Sequence, residues 1–573
     1  MTGGRRYTQA TSVIKEHASP EIDRKLDEAA APDRAAQAPS TRAGDLARAP
    51  NLAWLVAAGI LLSRIAGLVR ESIFAHFLGN SAAADAFKAG FRIPNILQNL
   101  FGEGVLSASF IPVYSKLLAE GDRDGADLLA WGVGAILSLA MALMVVLGVI
   151  AAPFLIEVIA PGFHGEKREL TIALVRVLFP GAGMLVMSAW CLGVLNSHHR
   201  FFVSYTAPVA WNVAIVAALV WYGPTSTQSH LVIAVAWGAV IGAAAQIAVQ
   251  LPATLRLLRR FKVDLRRTAG HLKIVFNNLA PVIAGRGVGQ ISGYVDNLLA
   301  SLLPTGAVAA LNYAQILYML PLSLFGFSMA ASELPTMSRA SGSIDEIAAA
   351  LRPRLNAGLR QISFMVVPSA AAFLFIGDVI VALIFQSGHF THHDAIYVWA
   401  VLAGTSVGLL ATTMGRLYNS AFYSLYDTRT PLKIAAIRFL LTLGLGYFCA
   451  LPLPSMLGIA QRWGVAGLTA SAGVAGWVEF TLLRRALNRR IGRTGLDSAY
   501  VIRLWLHALA AAALAIGVKY ALAGHGPRLV ALAVIPVYGA VYLGLGWWAG
   551  MPELHQLIGF LKRRLSARRR NSS

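Results

Sequence analysis

The sequence predicts an all-α polytopic membrane protein with about fourteen transmembrane helices. Of its 573 residues, 56% are hydrophobic and 13% are charged, whereas soluble proteins carry about 25% charged residues. The stretches 128–156 and 231–255 contain no charged residue, and about 20 apolar residues suffice to cross the hydrocarbon core of a bilayer. A chain in lipid must pair its backbone amides internally, so these long apolar runs predict helices.

The apolar runs follow one another along most of the chain. The predicted spans are 52–78, 84–118, 127–156, 169–195, 204–222, 231–256, 272–303, 306–338, 357–386, 395–423, 431–452, 464–484, 499–522 and 528–549. The first six form a predicted N-lobe (51–260), the next six a C-lobe (271–490), and the last two a separate helix pair (498–550).

The charges of the loops predict the orientation. An even number of spans places both ends of the chain on one side of the membrane. The loops 79–81, 223–225, 304–306 and 386–389 carry no Lys or Arg, whereas most of the alternate loops are rich in these residues. Because Lys and Arg accumulate in cytoplasmic loops, we expect both termini in the cytoplasm.

The two ends of the chain are polar. Residues 1–50 are rich in Ala, Pro and Arg and lack an apolar run, so we expect a disordered cytoplasmic tail. Residues 551–573 end in two clusters of basic residues. We expect this segment to form an amphipathic helix on the anionic inner leaflet, with a simple topology anchor as the alternative.

The spans repeat with an offset of 223 residues. Asn196 is followed by Pro208 after twelve residues, and Asn419 is followed by Pro431 at the same interval. Six spans separate equivalent positions, so both halves have one orientation, and we expect a two-fold axis along the membrane normal to relate the lobes. The lobes would then face each other across a cleft.

Several functional classes are disfavoured. The net charge of +21 does not indicate nucleic-acid binding, because the basic residues lie in short loops between spans. Cys191 and Cys449 lie within spans, which argues against a disulfide framework. His389, His392 and His393 lack acidic or cysteine partners at metal-ligand spacing. No enzyme signature is present, so we predict a transporter with no cofactor and no bound metal.

Charged side chains within the first two spans are the strongest functional signal. One charge at the bilayer centre costs about 2.5–3.5 kcal/mol on insertion scales, so these groups must face protein or water. The first span carries Arg64 and Arg70. The second span carries polar residues at spacings of three to four, which place them on one helix face. This stripe consists of Asp85, Lys88, Arg92, Asn95 and Gln98.

We expect the first two spans to line a polar cavity that binds an anionic substrate. Arginine suits phosphate because its planar guanidinium donates parallel hydrogen bonds. The alternative is a set of buried ion pairs that hold the lobes together, and this structural role is at least as well supported for Asp85, Glu103 and Glu333. The wider set of candidate substrate contacts is Arg64, Arg70, Asp85, Arg92, Asn95, Gln98, Glu103, Arg286 and Gln315.

One further carboxylate lies within the seventh span. Asp296 is costly there without a partner. We therefore consider it the candidate site for a coupling cation or a proton, with a structural ion pair as the alternative.

Several motifs resemble those of the MurJ-type lipid II flippases. They cover the first two spans and two later loops. The motifs are Ser-Arg-Ile-Ala-Gly-Leu-Val-Arg-Glu at 63–71, Ala-Asp-Ala-Phe at 84–87, Arg-Ile-Pro-Asn at 92–95, Gly-Glu-Gly at 102–104, Ser-Ala-Ser-Phe-Ile-Pro at 107–112, Ala-Pro-Gly-Phe at 160–163 and Asp-Thr-Arg-Thr-Pro at 427–431. The resemblance extends over about residues 52–550.

This resemblance implies a fold of the MOP exporter superfamily, in which two six-helix lobes alternate between inward-open and outward-open states. The implied substrate is the undecaprenyl-pyrophosphate-linked peptidoglycan precursor, with cationic residues holding the pyrophosphate and sugar headgroup. The last two helices would form a groove for the lipid tail. The implied location is the bacterial inner membrane, and we expect a monomer that contacts membrane lipids, with a wall-synthesis complex as a further partner. A coupling cation or the membrane potential would supply the energy.

The sequence departs from the family pattern at two places. Gln98 and Ile316 stand where well-known members have arginine, and we hypothesise that Arg92 and Arg286 supply the missing charge. Asp296 matches a cation-site aspartate of some members. Its companions in the eleventh span are reduced to Thr442 and Gly446, which argues against sodium coupling.

Three other functions remain open. The closest is flipping of another polyprenyl-linked glycan, such as an O-antigen or capsule unit. A MATE-type antiporter would favour an acidic cavity and twelve helices. A non-transporting scaffold of wall synthesis would tolerate neutral substitutions of Arg64 and Arg70.

Overall fold

The structure, a computed structural model, describes residues 43–258, 264, 266–337, 344–425, 427–555 and 559. These residues form helices and connecting turns, and no strand occurs among them. The chain divides into two compact units, Met1–Ala57 and Ala58–Ser573. In the first unit the described residues are helical from Ala43 onward, so the predicted tail at 1–50 lies almost entirely outside the described part.

The helices follow the predicted spans closely. They are α1 (Ala43–Leu78), α2 (Ala82–Phe101), α3 (Glu103–Ala119), α4 (Arg123–Ile159), α5 (Gly165–Ser197), α6 (Phe201–Tyr222), α7 (Gln228–Leu257), α8 (Ala269–Ser301), α9 (Ala307–Pro321), α10 (Ser328–Met337), α11 (Ile344–Phe375), α12 (Gly377–Phe385), α13 (His392–Val407), α14 (Leu409–Ser424), α15 (Arg429–Ala450), α16 (Pro452–Met456), α17 (Gly464–Ile491), α18 (Ser498–Ala521) and α19 (Pro527–Trp548). A π-helical turn, Leu322–Phe327, joins α9 to α10, and a 3₁₀ turn, Gln461–Trp463, precedes α17.

The all-α membrane fold is confirmed. Among the described residues, eleven helices are long and apolar enough to cross a membrane, or twelve if α13 and α14 count as one span bent by 40°. The two other predicted spans correspond to α1 and α8, which have 36 and 33 residues and carry many of the charged groups.

Glycines interrupt two of the predicted spans. At Gly102, between α2 and α3, a Cβ atom would lie 2.1 Å from the carbonyl oxygen of Gln98. At Gly408, between α13 and α14, a Cβ atom would lie 2.5 Å from the Cα of Gly473 on α17. A side chain at either place would collide with backbone, so these breaks depend on residues without a Cβ. The sequence prediction of continuous helices at 84–118 and 395–423 was wrong at these points.

The helices pack in two groups with an additional pair. In the N-terminal group, which we call the N-lobe (α2–α7), α5 packs on α2, α4 and α7, and α6 packs on α7. In the C-terminal group, the C-lobe (α9–α17), α17 packs on α13, α14 and α15, and α9 packs on α13. The pair α18–α19 packs on itself and on α11 and α12. The two-fold axis between the lobes remains a prediction.

Helix α8 contacts both lobes. Its first turns pack with α3 and α4, where Leu272 and Val275 share a buried apolar cluster with Phe110 and Tyr114. Its later turns pack with α9, α15 and α17. Because α8 follows the last helix of the N-lobe and precedes the first helix of the C-lobe, it connects the two groups along its own length.

The two lobes meet at one end of the helices, which we call the closed end (79–81, 304–306 and 387–390). The backbone amide of His389 donates to the carbonyl of His76 at 2.7 Å, and the Tyr313 hydroxyl donates to the carbonyl of Gly79 at 3.0 Å. Asn80 Nδ2 donates to Asp394 Oδ1 at 3.2 Å. The closed end therefore consists of loops whose sequences contain no Lys or Arg.

Candidate functional site

A cavity of about 480 Å³ lies between α1, α2, α8 and α9. We call it the central cavity. It lies where α1 and α2 carry their predicted polar residues. Its lining consists of Arg64, Gly67, Leu68, Arg70, Glu71, Lys88, Phe91, Arg92, Asn95, Asn99, Tyr294, Asn312, Gln315, Ile316, Met319 and Leu320. Five of the predicted contact residues, Arg64, Arg70, Arg92, Asn95 and Gln315, are in this set.

Arg70 is held by partners on its own helix and on α6. Its Nη2 lies 2.6 Å from Glu71 Oε1, and its Nη1 donates to Asn212 Oδ1 on α6 at 3.1 Å. The guanidinium carbon lies 4.8 Å from the centre of the Trp211 ring. Glu71 also pairs with Lys88 on α2, whose ammonium lies over the Phe74 ring. Glu71 therefore bridges two cations that line the cavity.

Arg64 lies on α1 before Arg70, farther from the closed end, and its side chain is exposed. The six residues between Arg64 and Arg70 span roughly 9 Å of helix. Its Nη1 lies 3.5 Å from Ser323 Oγ in the π-helical turn of the C-lobe. This long contact leaves the guanidinium free to exchange Ser323 for a stronger acceptor.

Arg92 connects α2 to α8. Its Nη2 donates to the carbonyl of Gly293 at 2.6 Å, and its guanidinium lies 5.2 Å from the Tyr294 ring centre. With the amide oxygen of Asn297 turned toward it, Arg92 Nε donates to that oxygen at 2.7 Å. Arg92 thus faces the cavity and also joins the N-lobe to the connecting helix.

Gln98 and Glu103 line a second, adjacent cavity of about 300 Å³ between α1 and helices of the N-lobe. We call it the N-lobe cavity. Its lining consists of Ser63, Gly67, Arg70, Gln98, Glu103, Leu185, Ser188, Ala189, Leu192, Pro208, Trp211, Asn212 and Gln246. Gly67 and Arg70 line both cavities.

Asp85 lies away from both cavities. Its side chain is 1% exposed and pairs with Lys167 Nζ at 2.6 Å. It also accepts hydrogen bonds from the backbone amides of Gly306 at 2.7 Å and Ala309 at 2.8 Å, at the start of α9. These contacts give Asp85 the alternative, structural role: a carboxylate at a helix N-terminus is stabilised by the helix dipole, and here that helix belongs to the other lobe.

Asp296 lies on α8 near two cations. Arg92 and Arg438 both act on it electrostatically, and Arg438 Nη1 also pairs with Glu479 Oε2 at 2.7 Å. Asp296 Oδ1 is buried without a hydrogen-bond partner among the described residues. Thr442 and Gly446 on α15 are buried, and Gly446 faces Leu468, Leu299 and the hydroxyl of Ser471.

One predicted site residue has no described side chain, and two residues that line the central cavity were not predicted. The side chain of Arg286 lies outside the described side chains, so its predicted role remains a prediction. Sequence reasoning missed Asn99 and Tyr294, which line the central cavity. Asn99 lies four residues after Asn95 and thus continues the polar stripe, whereas no periodicity marked Tyr294. Within the described residues, no group of three or more His, Cys, Asp or Glu side chains could hold a metal ion.

Comparisons with known proteins identify a family. A family model described as lipid II flippase MurJ matches residues 74–530. The chain is 32% identical over 439 residues to the lipid II flippase MurJ of Burkholderia cenocepacia, which covers 75% of this chain and 82% of that protein. It is 30% identical to the probable lipid II flippase MurJ of Rhizobium meliloti, covering 89% of this chain and 96% of that protein.

Two solved structures share the fold. One is a lipid II flippase MurJ in an inward closed conformation, with a TM-score of 0.70 and 22% identity over 86% of this chain and 98% of that chain. The other is an inward-facing multidrug resistance transporter of the MATE family and MOP superfamily. It has a TM-score of 0.60 and 17% identity over 75% of this chain and 94% of that chain.

Proposed function

We infer the activity from the premise that this chain belongs to the lipid II flippase MurJ family: it is a transporter that flips lipid II across the membrane. The direction is from the cytoplasmic to the outer leaflet, with both termini in the cytoplasm. Alternating access of the two lobes carries the headgroup, and no covalent chemistry is involved.

The observation that carries this proposal is the charge of the central cavity. Its lining contains four cations, Arg64, Arg70, Lys88 and Arg92, and one anion, Glu71, a net charge of +3. A diphosphate binds well where guanidinium groups present parallel N–H donors. A partly desolvated cavity strengthens that attraction relative to water. An organic cation would be repelled, which disfavours a MATE-type substrate.

Glu71 competes with the pyrophosphate of the substrate for the cations of the central cavity. Its carboxylate pairs with Arg70 and Lys88. A diphosphate that enters between these cations replaces the carboxylate as their partner and leaves Glu71 with excess negative charge. We propose that this exchange loosens the contacts of α1 with α2 and links headgroup binding to movement of the lobes.

The closed end supports an inward-facing state. For the headgroup to leave toward the outer leaflet, the contacts of Gly79, Asn80 and His76 with the C-lobe must break. The bonds between Asp85 and the N-terminus of α9 must also break. We propose that this end opens while the lobes approach each other at the opposite end, in the manner of rigid-body alternation.

The pair α18–α19 suits the polyprenyl tail. Its outward surface carries exposed large apolar side chains, including Leu506, Leu514 and Leu532. Because lipid tails are as apolar as these side chains, a groove along the pair holds the tail by close packing while the headgroup crosses.

Asp296 remains the candidate for energy coupling. The positive charges of Arg92 and Arg438 near this carboxylate repel an external metal cation. We therefore propose that sodium does not bind here, and that a proton or the membrane potential drives transport.

The second candidate is flipping of a different polyprenyl-linked glycan. It is favoured by Ile316, an apolar residue that lines the central cavity at a position where the family resemblance implies arginine. Expression in a bacterium depleted of its own lipid II flippase separates the two. Restored growth and restored lipid II flipping in spheroplasts support lipid II as the substrate, and failure of an expressed, correctly inserted protein to restore either would reject it.

A further inference from the structure

The N-lobe cavity differs in chemistry from the central cavity. Beside Arg70 and Glu103, its polar lining consists of uncharged hydroxyl and amide groups, contributed by Ser63, Gln98, Ser188, Asn212 and Gln246. Apolar side chains, with the Trp211 indole among them, complete the lining. A mixture of an aromatic surface with a few fixed neutral polar groups is typical of sites for uncharged polar ligands.

A chain of hydrogen bonds fixes these polar groups. Gln246 Nε2 donates to Ser188 Oγ at 2.7 Å, and Ser188 Oγ donates to Gln250 Oε1 at 2.6 Å. Gln250 Nε2 in turn contacts the carbonyl of Ser204 at 3.5 Å. An amide can make up to four hydrogen bonds and a hydroxyl three, so Gln246 and Ser188 are held in place and still have bonding capacity for a ligand.

Arg70 stands between the two cavities. It contacts Glu71, which lines the central cavity, and Asn212, which lines the N-lobe cavity. Gly67, one turn earlier on α1, also lines both. Since glycine has no side chain, little bulk separates the two spaces at this level of the helix. A ligand whose phosphate binds Arg70 can therefore extend a neighbouring group past Gly67.

We propose that the N-lobe cavity is a subsite for the uncharged sugar portion of the substrate headgroup, with Gln246 and Ser188 as specificity-determining contacts and Trp211 as the surface on which the pyranose ring packs. This inference rests on the proposed function, because it assumes a pyrophosphate at Arg70. Hydroxyl and acetamido groups of a sugar match hydroxyl and amide side chains in donor and acceptor capacity.

The charges that line the two cavities disfavour a diphosphate in the N-lobe cavity with the sugars in the central cavity. Glu103 lines the N-lobe cavity, whereas the central cavity contains three further cations besides Arg70. A diphosphate placed in the N-lobe cavity would meet this carboxylate and only one guanidinium. The central cavity therefore suits the charged diphosphate of the headgroup, and the N-lobe cavity suits its uncharged sugars.

The test compares two lipids on the purified full chain in nanodiscs. Lipid II carries the sugars, and undecaprenyl pyrophosphate shares its tail and diphosphate but lacks them. We expect the unaltered chain to bind lipid II more tightly. The double variant Ser188→Ala with Gln246→Leu removes two hydrogen-bonding groups and should weaken lipid II binding about tenfold, while its affinity for undecaprenyl pyrophosphate stays unchanged.

Two further variants separate binding from folding. Ala189→Leu fills part of the cavity without removing a polar group and should give the same selective loss. Ser109→Ala is the matched control, because this buried serine on α3 bonds its own helix at the carbonyl of Val105 and lines neither cavity. It should bind both lipids like the unaltered chain.

The outcomes are distinguishable. Equal affinity of the unaltered chain for the two lipids, or an equal loss for both in the cavity variants, would overturn the sugar subsite and leave the pyrophosphate site intact. Binding of neither lipid by the folded, unaltered chain would reject the proposed function and this inference with it.

Discussion

Arg70 on α1 donates to Asn212 on α6 through a hydrogen bond of 3.1 Å, and this contact lies between the central and N-lobe cavities. The same guanidinium bonds Glu71 at 2.6 Å. A single side chain thus contacts the lining of both spaces and uses two of its nitrogen atoms to do so. Its planar shape makes this possible, because the two nitrogens point in fixed, separate directions.

Replacement of Arg70 by lysine should reduce transport at least tenfold although the charge is kept. An ammonium is a point charge and cannot hold the same two partners in the same geometry. The measurement is lipid II flipping in cells that depend on the variant. Arg123→Lys, at an exposed position at the start of α4, is the control and should support normal flipping. Normal transport by Arg70→Lys would show that charge alone suffices.

Substitution of Asp85 should destabilise the closed end rather than remove a substrate contact. Asp85→Ala leaves Lys167 without its partner and two backbone amides of α9 without their acceptor. Removing one partner of a buried ion pair costs about 3–5 kcal/mol. Thermal unfolding in detergent should show a clear decrease in Tm, and the variant Lys167→Met with Asp85→Ala should recover part of it. An unchanged Tm with weaker lipid II binding would instead support the predicted substrate role.

Removal of Arg92 or of Arg286 should weaken substrate binding if these residues compensate for Gln98 and Ile316. Arg92 lines the central cavity, so Arg92→Ala should reduce the affinity for undecaprenyl pyrophosphate by at least tenfold, since a hydrogen bond to a charged group contributes about 1.5–3 kcal/mol. Arg286→Ala should act similarly if its side chain reaches the same lipid. Flipping that is unchanged in both variants would reject the compensation hypothesis.

Transport should not depend on sodium. Because Arg92 and Arg438 supply positive charge to Asp296, replacing sodium by potassium in the medium should leave the flipping rate unchanged. Asp296→Asn should slow transport without a matching loss of lipid II affinity, because Asp296 does not line the central cavity. A rate that falls when sodium is withdrawn, and that loses this dependence in Asp296→Asn, would contradict the prediction.

Asp427 should stabilise the start of α15 over a defined pH range. Hydrogen bonds from the Thr430 side chain and backbone, together with the charge of Arg490, hold the pKa of Asp427 at about 2, below its ordinary value of 3.8. A lowered pKa means that the charged form stabilises the folded state. The benefit is complete above the ordinary pKa and is lost as the pH falls through about 2.

The matching experiment compares the Tm of Asp427→Ala with that of the unaltered chain. Loss of such a helix cap costs about 1 kcal/mol. The difference in Tm should be constant between about pH 8 and pH 5 and should shrink below about pH 4. A difference that grows on acidification would show that the carboxylate does not act in its charged form.

Much of the fold could be predicted from the sequence because apolar length and loop charge are local properties. The fourteen predicted spans correspond to described helices, and the predicted family is confirmed. The break at Gly408 could not be predicted, because it depends on Gly473, which is close only in the folded chain. The break at Gly102 involves Gln98, only four residues earlier, and the apolar length of the span did not indicate it. The composition of a helix does not reveal what its glycines approach.

Part of the site could also be predicted, because helical spacing and the cost of a charge in lipid are local properties of the sequence. Helical spacing placed Arg92 and Asn95 on one helix face. Because a charge is costly in lipid, Arg64 and Arg70 were predicted to face a cavity. Periodicity does not specify which polar face meets which partner. Asp85 lies on the same predicted stripe as Arg92, yet it contacts Lys167 and the start of α9 instead of the cavity.

The closed end has a consequence for genetic screens. His389 bonds His76 through main-chain atoms, and Gly79, with φ +54°, has the carbonyl oxygen of His389 only 2.6 Å from where its Cβ would be. Alanine scanning of the neighbouring side chains cannot remove a bond made by the backbone, so such a scan would leave this contact between the two loops intact. Replacement of Gly79 by alanine is the informative change, because the added methyl group would push the two loops apart and trap the transporter in one half of its cycle.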